Sequence, residues 1–114
     1  MVKKRQSRLI RRLEIFDPED AVIPKRLGGG KLKERVIRNL DTGEVLEYAL
    51  AYINPAIATV DNGRVLGYDN SHRLHHRHRM GKVEPIEFTT FEELRRRFER
   101  EWIELARRYV NGEI

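Results

Sequence analysis

The sequence predicts an α+β domain, a small antiparallel sheet of four to five strands covered by a long C-terminal amphipathic helix. Three observations predict it. Residues 31–53 hold two alternating runs around Asp41-Thr42-Gly43-Glu44, the period of paired strands. Asp61-Asn62-Gly63 is a second hairpin signal, because Asn-Gly tolerates the positive φ of tight turns. Phe91, Leu94, Phe98, Trp102, Leu105 and Tyr109 recur at spacings of three or four, an apolar stripe suited to covering a sheet.

Taken in order, residues 1–12 carry six basic side chains and no acid, the composition of a nucleic-acid-binding arm or of a solvated terminus. Leu9, Ile10, Leu13 and Phe16 fit a short helix, while Leu13 and Ile15 also fit a strand. Asp17-Pro18-Glu19-Asp20 ends that segment, Pro24 breaks the next, and Gly28-Gly29-Gly30 reads as a flexible joint. The glycines and Lys31 lack the spacing of a phosphate-binding loop. Residues 1–30 are therefore expected to form a basic segment and linker, and residues 31–114 a single α+β domain.

Within that domain, 31–40 reads as a half-buried strand and 45–53 as a central one, apolar on both faces except at Glu47. Ile57–Val60 and Arg64–Tyr68 flank the Asn-Gly turn as a second hairpin. Residues 72–80 read as a loop or edge strand, and 83–88 as a short strand that Pro85 assigns to an edge. Thr89 or Thr90 caps the helix, with Glu92 and Glu93 placed to complete a capping box, and Asn111-Gly112 stops it.

The formal charge of +5 points to a polyanionic partner, and the interleaved Arg and Glu also suit a heat-adapted surface. With no cysteine, disulfides, thiolate catalysis and cysteine-bound zinc are excluded. No window approaches the roughly 20 apolar residues of a membrane span, and no signal-peptide core begins the chain, so a cytoplasmic protein is expected.

All four histidines lie within residues 72–78, beside Tyr68, Asp69, Asn70 and Arg73, Arg77 and Arg79. If 75–79 is extended, His76 and His78 share one face and His75, Arg77 and Arg79 the other. Two histidines at i and i+2 stand roughly 6–7 Å apart and straddle a phosphodiester, one as base and one as acid. RNA suits this chemistry because its own 2′-hydroxyl is the nucleophile. Asp69 would fix a histidine tautomer and Arg77 hold the phosphate, with Tyr68, Asn70, Arg73, His75 and Arg79 as RNA or phosphate contacts. No cofactor is required. An alternative metal site would use His72, His76 and Asp69. The plainest alternative is a solvated or phosphate-binding loop without catalysis.

The run Val65-Leu66-Gly67-Tyr68-Asp69-Asn70, followed by His72-x-x-His75-His76-Arg77-His78, Gly81-x-x-Glu84-Pro85-Ile86-x-Phe88 and Phe91-Glu92-Glu93-Leu94, resembles the TumE-type toxin family of prokaryotic toxin–antitoxin systems. The similarity runs from about residue 31 to the C-terminus. It implies a small antiparallel-sheet toxin, thought to be a ribonuclease, with a DNA-binding antitoxin of helix-turn-helix type as partner. By position its motif falls on Tyr68, Asp69, Asn70, His76, Arg77 and His78, while Ser71 and Arg73 stand where small residues or glycine are expected. The edge strand near 83–88 offers a surface for a homodimer.

Overall fold

The computed structural model describes residues 12–114. The basic run at the start of the chain lies outside the described residues, apart from Arg12. Strands β1 (Leu13–Phe16), β2 (Ala21–Val22), β3 (Lys31–Asn39), β4 (Val45–Ile53), β5 (Arg64–Asp69), β6 (His76–Arg79) and β7 (Lys82–Pro85) precede helix α1 (Phe91–Val110). All pairings are antiparallel, in the order β1-β3-β4-β5-β6-β7, and β2 pairs with β3 beside β1.

The fold class is α+β as the sequence predicts, but the described residues hold seven strands rather than four or five. The extra two are β1 and β2, so the described part of residues 1–30 adds to the sheet. Their side chains are exposed throughout, which leaves no burial pattern to read. The glycine run is likewise no free joint. A Cβ on Gly28 would stand 2.8 Å from that of Ala106, and one on Gly30 2.6 Å from the Ile53 carbonyl oxygen. The Tyr52 hydroxyl donates to the Gly29 carbonyl at 2.9 Å, and the buried Asn54 amide donates to that of Gly28 at 2.8 Å. Close approach, with positive φ at all three positions, is why glycine is needed there.

The β3–β4 hairpin forms as the alternation predicts. The predicted 57–60 strand does not. Asp61, Asn62 and Gly63 do take positive φ, but within a wide connection running from β4 to β5. Asn54 closes that connection, its backbone N–H donating to the Gly63 carbonyl and its side chain accepting from Ala56. Strand β6 is internal, and β7, with Pro85, is the edge.

Helix α1 covers one face of the sheet. The Thr90 hydroxyl accepts from the Glu93 N–H at 3.1 Å, and Gly112 adopts φ 72° just past the C-terminus. Phe91, Leu94, Phe98, Leu105 and Ala106 bury against Val36, Tyr48, Leu50, Tyr52, Leu66 and Tyr68. Each large apolar side chain enclosed there contributes about 1.5–3 kcal/mol. The second face of β4 is apolar for another reason: Ala49 is exposed and Ala51 half-buried, so small residues line the face turned away from α1.

Candidate functional site

Strand β6 divides its side chains as period two requires. His76 and His78 project from the open face, their ring centroids 6.4 Å apart. His78 Nε2 lies 2.7 Å from Asp69 Oδ2, and its Nδ1 lies 3.0 Å from Nη2 of Arg64. A guanidinium only donates, so Nδ1 must accept and Nε2 must carry the proton given to Asp69. The two contacts together specify one neutral tautomer. His76 Nδ1 stays 4.0 Å from Asp69 Oδ1, and its ring makes no hydrogen bond among the described residues.

Burial alone would raise the Asp69 pKa. The Ser71 backbone N–H, 3.0 Å from Oδ1, and the His78 hydrogen bond outweigh it, so Asp69 sits below the usual carboxylate range.

Arg64 was not among the residues that the sequence singled out. It reaches His78 because Gly67 lies between them, where a Cβ would come within 2.8 Å of Arg64 Cδ. Asp61, in its left-handed turn, holds the other side of the guanidinium at 2.7 Å. The available signal was a glycine at the centre of a strand, three residues after an arginine.

The other predicted residues fall on the helix side or in structural roles. Arg77 ion-pairs with Glu101 at 2.6 Å and Glu84 at 2.9 Å, so it does not stand over the histidines to hold a phosphate. Tyr68 is buried, its hydroxyl bonded to Glu101, and is closed to base stacking. Burial, then the Glu101 contact, keeps its hydroxyl protonated well above the ordinary range. His75 stacks on Phe88 at 4.0 Å and bonds the Tyr48 hydroxyl at 2.8 Å. Burial and then the neighbouring His76 lower its pKa. Arg79 faces Arg100 and Arg108 across a helix-side hollow. Asn70 stitches its loop to β4, accepting from Tyr48 N–H at 3.0 Å and donating to the Leu46 carbonyl at 2.9 Å.

The alternative metal set is not assembled. His72, in a turn with φ 57°, lines an open concavity of about 630 Å³ with Arg73. Among the described residues no three His, Asp or Glu side chains converge as ligands. Among the described residues no helix is long and apolar enough to cross a membrane.

The fold and the cluster define a two-layer α+β protein with an acid–histidine–arginine site on the sheet face opposite α1. A protein-family model described as Toxin TumE matches residues 3–108, and the chain belongs to that family. It is thereby the toxin component of a toxin–antitoxin system, with an antitoxin as partner. The match extends the sequence resemblance back through β1 and β2. Comparison with curated proteins and with solved structures finds no match.

Proposed function

We propose that the toxin cleaves RNA by histidine acid–base chemistry on the open face. The observation that carries the reading is His78, held through Nε2 by Asp69 with Nδ1 turned toward a guanidinium, 6.4 Å from a second histidine. A phosphodiester entering the site draws Arg64 onto a non-bridging oxygen and releases Nδ1. His78 then takes the proton of the 2′-hydroxyl, whose oxygen bonds to phosphorus. The bond from phosphorus to the 5′-oxygen breaks, and His76, arriving protonated, gives that oxygen its proton. The products are a 2′,3′-cyclic phosphate and a 5′-hydroxyl. Asp69 stabilises the imidazolium as an orienting carboxylate does, and Arg64 replaces Arg77 as the phosphate ligand. In the cell, an antitoxin of helix-turn-helix type would silence this face.

The test is cleavage of an oligoribonucleotide by the purified chain, with cyclic-phosphate ends scored. His76→Ala and His78→Ala are each expected to lower the rate about 10²–10⁴-fold, with EDTA having no effect. Cleavage that persists in both variants, or that EDTA abolishes, overturns the reading. The rival is a nucleic-acid- or protein-binding face without catalysis. The occupied Nδ1 of His78 favours it, and RNA binding without cleavage would establish it.

A further inference from the structure

We propose that the concavity beside the histidine cluster is a guanine subsite, read by the Glu47 carboxylate. The proposal rests on the RNA reading above and names the nucleotide held next to the scissile bond. Three observations converge on it.

The first is position. At about 630 Å³ the concavity is within the roughly 300–1,000 Å³ of small-ligand sites. Ala49, in its floor, is the register partner of Asp69, which pairs in turn with His76. A base seated there puts its own phosphate at the cluster.

The second is the loop above it. His72 and Arg73 are consecutive non-glycine residues at φ 57° and 64°. Such a conformation is sparsely populated by residues with a side chain and persists where surrounding bonds impose it. Here Asn70 is fastened to the β4 backbone, and Asp69 accepts from Ser71 N–H. The strained turn places Arg73 in the lining of the concavity together with Arg35, which also pairs with Asp17 at 3.5 Å.

The third is the lining. Ile37, Leu46 and Ala49 offer apolar contact to a base, and Glu47 is the carboxylate among them. Glu47 has no ion-pair or hydrogen-bond partner among the described residues and is exposed. Guanine alone presents two adjacent donors, N1–H and the N2 amino group, on its Watson–Crick edge, matching the two carboxylate oxygens. Adenine and cytosine set one amino donor beside a lone pair, and uracil sets one N–H between two carbonyls. A carboxylate therefore repels part of every other edge.

The experiment is fluorescence anisotropy of the full chain with labelled hexamers whose 2′-hydroxyls are all methylated, so that no nucleophile is present. The hexamers carry guanine, inosine or adenine at one position among uridines. Guanine is expected to bind about tenfold tighter than adenine. Inosine, lacking the N2 amino group, should fall between them. Glu47→Gln should bring guanine to the adenine level while leaving the adenine and all-uridine hexamers within about twofold. A wild type that binds all hexamers equally overturns the subsite and leaves the RNA reading standing, as does a Glu47→Gln loss that is uniform across bases. Failure to bind any hexamer overturns both.

Discussion

Arg77 and His78 are neighbours in the chain and work on opposite surfaces of one sheet. Arg77 points under α1, where Glu101 and Glu84 neutralise it and Tyr68 shares the Glu101 carboxylate. His78 points to the face away from α1, where Asp69 and Arg64 grip its two nitrogens and His76 is left with neither nitrogen bonded among the described residues. Behind the helix, polar groups are consumed in holding the layers together. On the open face they are oriented and still able to exchange partners. Residue type does not separate the two roles; the pleat does.

Stability should expose that difference most strongly. Arg77→Ala leaves the Glu101 carboxylate against the core without its main cation, and is expected to cost about 3 kcal/mol in urea unfolding. His76→Ala, one residue away on the open face, should cost less than about 1 kcal/mol. Equal losses would mean that the histidine face is as much a part of the scaffold as the half-buried Arg77–Glu101 pair.

A smaller effect tests the open face alone. In Gly67→Ala the new methyl occupies the path of Arg64, whose flexible chain moves aside. Stability should change by about 1 kcal/mol or less. The ¹⁵N shifts of His78, however, should lose the signature of a single Nε2-protonated tautomer. Unchanged shifts would show that Asp69 fixes the ring without help from Arg64.

The smallest effect divides the faces by pH. His75, on the covered side, has a folded pKa below its ordinary 6.5. The unfolded chain then binds more protons just below pH 6.5, so stability should fall as pH drops through that interval. Asp69, on the open side, is depressed below its ordinary 3.8. Its contribution is present above that value and is lost as pH falls further, through the folded pKa. His75→Gln should flatten only the upper slope and Asp69→Asn only the lower one, read from urea midpoints across pH. If either variant altered both slopes, the two groups would be coupled through the sheet.

Much of the scaffold was legible. The β3–β4 hairpin, α1 and the division of His76 and His78 from Arg77 follow from periodicity, the helix cap from Thr90 with Glu93, and the edge from Pro85. Strand β1 was legible only as one of two alternatives, and β2 not at all, because exposed side chains leave no burial pattern to decide. The 57–60 strand was misread because Asn62-Gly63 reports only local φ and not how widely a connection spans. In the site, Tyr68, Arg77 and Asp69 looked like one constellation because they are close in sequence, and alternate faces separate them. Arg64 escaped notice because an arginine at the start of a strand is unremarkable until the missing Cβ at Gly67 opens its path.

The covering helix also follows every described strand in the order of synthesis. Until residues 91–110 exist, Tyr48, Leu50, Tyr52, Leu66 and Tyr68 have nothing to pack against, and Gly28 has no Ala106 to meet. A nascent chain that has already exposed every histidine still lacks the layer that holds their strand in place. For a toxin, this order of assembly ties the histidine site to a layer made after it: the strand that carries the cluster is fixed only once residues 91–110 have joined the sheet.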